Sequence, residues 1–216
     1  MKILTTFRSV PPFAVGHVRD LRVRWALEEA GMPYTLRLIA FQDAATPAYR
    51  REQPFGQVPV LQDGGLTLFE SGAILMHLGE RNPALLPTGS QARARVTMWM
   101  FAALNSVEPY LAEFANLAAF HANEAWAIER RPAVEEMALK RLRDLDMWLE
   151  GRDWLADGFS AADILMTTVL RLLDGMEMVE GFGRLNAYKD RCMARPAFRK
   201  ALADQVALYA EVTSAA

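Results

Sequence analysis

The chain has 216 residues, enough for one large domain or two small ones, and its 52% hydrophobic and 23% charged residues are ordinary for a globular protein. A formal net charge of -2 excludes a strong overall attraction to nucleic acid or to an anionic membrane. No apolar run reaches the roughly 20 residues of a membrane helix or forms a secretory signal, so we expect no membrane partner and a cytoplasmic location.

The first eighty residues predict strands and helices in alternation. In chain order they give a strand at 2–7, a helix at 18–30 and a strand at 34–39. After an irregular stretch come a two-stranded hairpin at 58–62 and 66–69 and a helix at 71–81. Apolar residues recur at helical spacing before Gly31, a natural helix end. Asp63-Gly64-Gly65 is typical of a hairpin turn. This order predicts an α/β domain with a mixed sheet.

The rest of the chain predicts helices only. A long helical pattern rich in Ala, Leu and Met extends over about 91–121, and further helical patterns cover 132–149, begin at Ser160, cover 182–194 and begin at Pro196. The composition changes near residues 82–90, where prolines and a glycine interrupt the patterns, so we place the domain boundary there.

The single cysteine and the three histidines do not form a metal-binding pattern. No Cys/His spacing matches a structural zinc site, no Cys-x-x-Cys pair exists, and one cysteine cannot form an intramolecular disulfide. We therefore predict no metal site and interpret Cys192 as a packed small side chain.

The first chemically informative segment is Val58-Pro59, at the start of the predicted strand 58–62. Proline removes a hydrogen-bond donor from a sheet and is tolerated at the first residue of a strand. If the peptide bond is cis, Val58 turns its backbone N–H and C=O outward, where an extended peptide can pair with them. The other interpretation is a trans proline that ends the sheet at an edge.

The second segment is Glu70-Ser71, at the head of the following helix. Ser71 is a good N-cap residue, and the first N–H groups of a helix favour a carboxylate. Glu70 offers an acceptor for an ammonium group. Together the two residues suit both ends of an α-amino acid, although a plain cap and a solvated charge are the preferred interpretation when this pair is taken alone.

These segments, in this order, resemble the glutathione site of the cytosolic glutathione S-transferase family, here as a bacterial member of undecided class. Residues 22–29 and 154–164 are similar to the first helix and to the capping segment of the family's helical core. The resemblance implies a thioredoxin-like α/β N-terminal domain at 1–82, a linker at 83–87 and an all-α C-terminal domain at 88–216 that forms the electrophile pocket.

The resemblance also implies roles for individual residues. Val58 would pair through its backbone with the cysteinyl part of glutathione beside a cis Pro59, Ser71 would bind the γ-glutamyl carboxylate, and Glu70 would bind the ammonium group. Gln57 is a candidate for the glycyl end. Ser160 and Asp163 are predicted to form a capping box that stabilises the helical core.

The catalytic residue stays open at this level. The family uses Tyr, Ser or Cys after the first strand, and the segment 7–17 here contains neither Tyr nor Cys. Ser9 is its only serine, His17 takes the usual place if the alignment is anchored on the first helix, and Thr6 is a third candidate if the strand ends early. Without Cys in this segment, thiol-disulfide exchange is disfavoured.

We therefore predict an enzyme that activates glutathione, a co-substrate, for attack on a small hydrophobic electrophile. We predict no further cofactor, and the resemblance implies a homodimer. A non-catalytic binding or scaffold protein of the same fold is the alternative, and a glutathione-dependent isomerase or dehalogenase differs only in its substrate. Met98, Phe101 and Leu104, with Phe13, are candidate pocket walls, and we favour core packing for the three helix residues.

Overall fold

The computed structural model describes the backbone of residues 1–214 and the side chains of residues 1–210, and it divides into two compact units. The first unit comprises residues 1–87 together with the chain from Arg195 onward, and the second comprises residues 88–194. Each unit has its own buried apolar residues.

The first unit contains a mixed four-stranded sheet with the order β2-β1-β3-β4. The strands are β1 (Lys2–Phe7), β2 (Tyr34–Ile39), β3 (Val60–Asp63) and β4 (Leu66–Leu68). β1 pairs in parallel with β2 and antiparallel with β3, and β3 pairs antiparallel with β4. The predicted α/β class with a mixed sheet is confirmed.

The first unit also contains α-helices before its linker. They are α1 (Asp20–Glu29), α2 (Phe41–Ala44), α3 (Pro47–Arg50) and α4 (Ser71–Gly79), and α1 and α4 among them lie close to the predicted positions. A short 3-10 helix covers Pro12–Ala14. The sequence predicts an irregular stretch where α2 and α3 lie, because helices of four residues leave no periodic pattern.

The last helix, α10 (Pro196–Ser214), packs against α1. The sequence predicts that everything after residue 88 belongs to the helical domain, whereas the structure groups the chain from Arg195 onward with the first unit. The physical reason is the buried contact between the helices, since Phe198 of α10 meets Trp25 of α1 with ring centroids 4.8 Å apart.

The second unit is helical throughout its regular structure. It contains α5 (Ser90–Phe101), a π-helical segment (Ala102–Val107), α6 (Glu108–Phe120), α7 (Ala125–Trp148), α8 (Ala161–Leu170), a 3-10 turn (Arg171–Leu173) and α9 (Gly183–Met193). The prediction of all-α structure in this part of the chain is confirmed.

In two places the helices of this unit differ from the predicted helices, and each place contains a proline. The predicted single helix 91–121 is interrupted by the π-helical segment, which ends two residues before Pro109, a residue that lacks a donor N–H. The sequence predicts that Pro132 starts a helix, but α7 begins at Ala125 and contains Pro132 in its interior. Proline at a helix start is only a preference, and here the helix continues on both sides of it.

The capping box predicted at Ser160 and Asp163 is present. Ser160 Oγ accepts a hydrogen bond from the N–H of Ala162 at 3.3 Å, and Asp163 Oδ2 accepts one from the N–H of Ser160 at 2.9 Å. Tyr188 donates to Asp163 Oδ1 at 2.9 Å. Cys192 is buried in the same unit, and burial raises the pKa of its thiol to about 12, as suits a packed side chain.

Candidate functional site

The peptide bond between Val58 and Pro59 is cis, and it directly precedes β3. Among the residues that the structure describes, none forms a hydrogen bond with the backbone N–H or C=O of Val58. The side chain of Val58, 9% exposed, is anchored in an apolar cluster with Tyr49 and Val60. The backbone is therefore held in place while its hydrogen-bonding groups stay available.

The loop before the cis bond is fixed by polar contacts. Tyr49 donates its hydroxyl to the carbonyl oxygen of Gln57 at 2.7 Å, and Arg50 Nη1 donates to the carbonyl oxygen of Pro54 at 2.7 Å. Gly56 has a φ of 65°, and a Cβ there would lie 2.7 Å from the carbonyl oxygen of Ala44. The side chain of Gln57 is exposed, so it is free to contact a ligand.

The start of α4 differs in one detail from the prediction. Ser71 is expected as the N-cap residue, but it is the first helical residue and Glu70 occupies the N-cap with φ 65° and ψ 113°. No side chain caps the helix, and a turn bond of 2.9 Å runs from the N–H of Ile74 to the carbonyl oxygen of Glu70. Hence no side chain occupies the backbone N–H groups at the start of α4, and these groups attract a carboxylate.

A residue that sequence reasoning missed lies beneath this helix start. Arg22 of α1 is buried and donates from Nη1 to Ser71 Oγ at 3.2 Å. Its guanidinium adds positive charge next to the amide groups of α4, which favours an anion there. The only sequence signal is an arginine among the apolar residues of a helix, a pattern that usually indicates a solvated side chain.

One apolar cluster brings the three segments of the candidate site together. Val58 and Val60 belong to it, and Val18 and Phe69 pack against it. Val18 follows His17 in the chain, and Phe69 precedes Glu70. The free backbone of Val58, the start of α4 and the end of the loop before α1 are therefore neighbours in the first unit.

The candidate thiol-activating residues lie in the segment between β1 and α1. Ser9 is exposed two residues after β1 ends, and His17 is exposed three residues before α1 begins. Thr6 is a candidate only if β1 ends early, and the strand continues to Phe7. Thr6 is fully buried, with its hydroxyl 3.3 Å from that of Tyr209, so the structure removes it as a candidate.

The helix residues suggested as pocket walls are not core residues. Met98 is 54% exposed and Phe101 is 56% exposed, so the preferred interpretation of core packing is wrong for both. Leu104 lies in the π-helical segment and is half-buried. Phe13 of the first unit is also exposed.

Neither a metal cluster nor a membrane-spanning helix is present in the described part of the chain. Among the described side chains, those of residues 1–210, no three His, Cys, Asp or Glu groups come close enough to hold a metal ion. Over the same residues no helix is both long and apolar enough to cross a membrane.

Comparisons with known proteins agree with this geometry. The profile described as "Glutathione S-transferase, N-terminal domain" matches residues 13–80, and the corresponding C-terminal profile matches residues 113–196. Glutathione S-transferase 4 of Zea mays is 33% identical over 191 residues, which cover 83% of this chain and 85% of that protein. The disulfide-bond oxidoreductase YfcG of Escherichia coli is 32% identical over 169 residues, covering 71% and 73%.

A solved structure shows the same architecture. A glutathione transferase from Burkholderia graminis, crystallised with two glutathione molecules bound per subunit, superposes with a TM-score of 0.80 at 27% identity. The superposition covers 93% of this chain and 87% of that one. Fold, profile matches and sequence identity over most of the length agree with the resemblance that the motifs predicted, and the chain belongs to the glutathione S-transferase family.

Proposed function

We propose that this protein binds glutathione in the first unit and activates its thiol for attack on a small hydrophobic electrophile. The observation that carries the proposal is the free backbone of Val58 beside an uncapped helix start at Ser71, with Arg22 behind it. The tripeptide would pair with Val58 through its cysteinyl backbone, with Pro59 cis beside it, and place its γ-glutamyl carboxylate at Ser71. Glu70 would accept hydrogen bonds from the ammonium group, and Gln57 would reach the glycyl end.

The chemistry requires a glutathione thiolate near neutral pH. Lowering a thiol pKa of about 8.5 by about two units needs roughly 2.7 kcal/mol of preferential thiolate stabilisation. One hydrogen bond to a charged group contributes about 1.5–3 kcal/mol, and a helix N-terminus adds about 0.3–1 kcal/mol. A single donor near the start of α1 is therefore sufficient. The thiol proton passes to water, and a sulfur lone pair forms the bond to the electrophilic carbon. In a substitution the bond from that carbon to the leaving group breaks and the group departs with the electron pair; in an addition to an activated alkene the π bond breaks and the resulting carbanion takes a proton from water.

The donor is tested by three variants, Ser9→Ala, His17→Ala and Thr6→Val. We measure thiolate absorbance of bound glutathione against pH for each. Loss of the donor at residue 9 or 17 should raise the thiol pKa by about one to two units, while the buried Thr6 serves as the control and leaves it unchanged. If neither Ser9→Ala nor His17→Ala raises the pKa, the catalytic assignment fails.

A second candidate function is a binding or scaffold protein without turnover. The segment between β1 and α1 contains neither Tyr nor Cys, the residues that most directly activate or exchange with a thiol, and this observation favours the alternative. Calorimetry with glutathione separates the cases. Binding followed by conjugation supports a transferase, binding without turnover on several electrophiles supports a carrier, and no binding at millimolar concentration refutes the glutathione site.

The proposal also covers the assembly, the location and the cofactor requirement of the protein. We propose a homodimer in the cytoplasm that needs no cofactor besides its co-substrate. An isomerase or dehalogenase would use the same thiolate on a different electrophile, so a panel of apolar and aromatic substrates distinguishes these reactions.

A further inference from the structure

The hydroxyl of Tyr49 in α3 holds the peptide group that precedes the cis bond. It donates to the carbonyl oxygen of Gln57 at 2.7 Å. The bond between Val58 and Pro59 is cis, but the bond before it, between Gln57 and Val58, is trans. The carbonyl oxygen of Gln57 and the N–H of Val58 therefore belong to one planar group and point in opposite directions.

This planarity couples Tyr49 to the backbone that would bind glutathione. The peptide group cannot turn without breaking the bond to the Tyr49 hydroxyl, so the position of that hydroxyl sets the direction of the Val58 N–H. A hydrogen bond accepted at the oxygen also polarises the peptide group, and this strengthens the N–H as a donor. In the proposed binding mode, the cysteinyl carbonyl oxygen of the tripeptide is the acceptor for that N–H.

The ring of Tyr49 is fixed by contacts that do not involve its hydroxyl. The residue is 5% exposed and belongs to the apolar cluster with Val58 and Val60. Arg37 of β2 lies over the ring, with Cζ 5.8 Å from the ring centroid, and it donates to the two carboxylate oxygens of Glu52 at 3.1 and 2.6 Å. A phenylalanine at position 49 would keep the packing and lose only the hydroxyl.

No other contact in the described part of the chain replaces the bond from Tyr49. Within residues 1–210, no second group donates to the carbonyl oxygen of Gln57. Arg50 donates to the carbonyl oxygen of Pro54, three residues earlier in the loop. Burial raises the pKa of Tyr49 to about 12, so its hydroxyl keeps its proton and stays a donor at neutral pH.

We propose that Tyr49 is a positioning residue for glutathione, because its hydroxyl aims the N–H of Val58 at the cysteinyl carbonyl oxygen. Tyr49 acts through the peptide group between Gln57 and Val58. The inference rests on the proposed function, since it concerns the same site. It assigns Tyr49 to the affinity for glutathione and gives it no part in activating the thiol.

Tyr49→Phe tests this role by removing the hydroxyl and keeping the ring. Calorimetry should show that glutathione binds about three- to tenfold more weakly, the effect of one hydrogen bond. The thiol pKa of bound glutathione, followed by thiolate absorbance, should stay unchanged. Tyr209→Phe is the matched control, because it removes another buried hydroxyl of the first unit, 3.3 Å from that of Thr6, and should leave the affinity unchanged. Equal losses of affinity in both variants would overturn the proposal.

A spectroscopic measurement separates positioning from a general loss of stability. In protein labelled with 15N-valine, saturating glutathione should move the amide proton resonance of Val58 downfield as the N–H acquires an acceptor. This movement should be smaller in Tyr49→Phe, even at saturation, and complete in Tyr209→Phe. The same movement in all three proteins would refute the positioning role.

The outcomes also distinguish this inference from the function on which it rests. If the unmodified protein does not bind glutathione at millimolar concentration, the proposed function fails and this inference fails with it. If the unmodified protein binds glutathione and Tyr49→Phe binds it equally tightly, the proposed function stands and only the role of Tyr49 is refuted.

Discussion

The hydroxyl of Ser71 has two hydrogen-bonding directions, and the structure uses one of them. Its oxygen accepts from Arg22 Nη1, so its own proton remains available for an acceptor outside the helix. A carboxylate at the start of α4 would receive this proton together with backbone N–H groups. The Ser71 hydroxyl would thus form one hydrogen bond with the buried Arg22 guanidinium and another with the ligand carboxylate.

Ser71→Ala should therefore weaken glutathione binding. The lost hydrogen bond goes to a charged group and is worth about 1.5–3 kcal/mol, which corresponds to roughly tenfold to hundredfold in the dissociation constant. Calorimetry measures the effect, with Ser90→Ala at the exposed start of α5 as the matched control. Equal affinities in Ser71→Ala and the unmodified protein would contradict the assignment of the carboxylate to this helix.

The residues of the site were predictable to different degrees. Val58–Pro59 and Ser71 depend on local rules, the restrictions of proline and the needs of a helix start, so the sequence indicated them. Arg22 acts through a contact 49 residues away in the chain, and no local pattern reveals such a contact. Thr6 was a candidate only while the end of β1 was unknown.

At the scale of elements, the loop before the cis bond is shaped by Gly56. Its positive φ is unfavourable for residues with a Cβ, and the nearby carbonyl oxygen of Ala44 leaves no room for one. Gly64 in the β3–β4 turn has the same φ of 65°, but a Cβ added there would meet no atom within 4 Å. A comparison of Gly56 with Gly64 therefore separates the cost of a positive φ from the cost of a steric clash of the Cβ.

Gly56→Ala should destabilise the protein more than Gly64→Ala. The turn variant costs about 1–2 kcal/mol of strain, and the loop variant adds the displacement of Ala44 or of the loop itself. Denaturant unfolding measures stability, and calorimetry should show weaker glutathione binding only for Gly56→Ala, because that loop carries Val58. Similar losses of binding in both variants would mean that the loop does not position the site.

The capping box of α8 gives a pH-dependent prediction. Burial raises the pKa of Asp163 to about 6, although hydrogen bonds from Leu155, Tyr188 and Ser160 lower it. In the unfolded chain the pKa is about 3.9. The folded state therefore binds the extra proton between these values, so this group's stabilising contribution is full below about pH 4 and is lost as the pH rises through about 6.

Asp163→Asn should remove this pH dependence of stability. The amide nitrogen of asparagine also cannot accept a hydrogen bond from the backbone N–H groups that the carboxylate binds. We expect the free energy of unfolding to fall by about 2–4 kcal/mol at pH 7. The difference in this free energy between the unmodified protein and the variant should increase by about 1 kcal/mol at pH 5. Unfolding curves at both pH values test this. Asp157→Asn, an exposed partner of Arg95, should change stability by less than about 1 kcal/mol at either pH. A gap that narrows on acidification would reverse the sign and refute the assignment.

Element boundaries in the helical unit were predictable where a cap is local. Ser160 and Asp163 are three residues apart, and the predicted helix start there is confirmed. Pro109 and Pro132 were harder, because a proline can begin, bend or lie within a helix, and the packing of neighbouring helices decides which occurs.

For the whole molecule, the decisive contact is that between α10 and α1. Gln205 Nε2 of α10 donates to the carbonyl oxygen of Val18 at 3.1 Å and to Asp20 Oδ1 at 2.6 Å. Arg195 binds Glu29 with two contacts of 2.6 and 2.8 Å. The sequence predicted α10 as a helix but not its location, because the residues that hold it are distant in the chain.

Phe198→Ala should therefore destabilise the first unit, although residue 198 follows the helical unit in sequence. Phe198 is 1% exposed, and truncating such a ring costs about 3–5 kcal/mol. Hydrogen exchange should become faster in β1 and α1, and Val206→Ala at an exposed position of α10 should have little effect. Faster exchange confined to residues 88–194 would contradict the grouping.

Because α10 completes a unit whose sheet comes much earlier in the chain, the first unit cannot be complete until synthesis has passed the helical unit. Residues 88–194 are synthesised before the 19-residue α10, so α1 lacks its covering helix throughout the synthesis of the helical unit. The first unit, whose sheet is synthesised first, is thus completed last. Until α10 is synthesised, the apolar surface around Trp25 is accessible to chaperones.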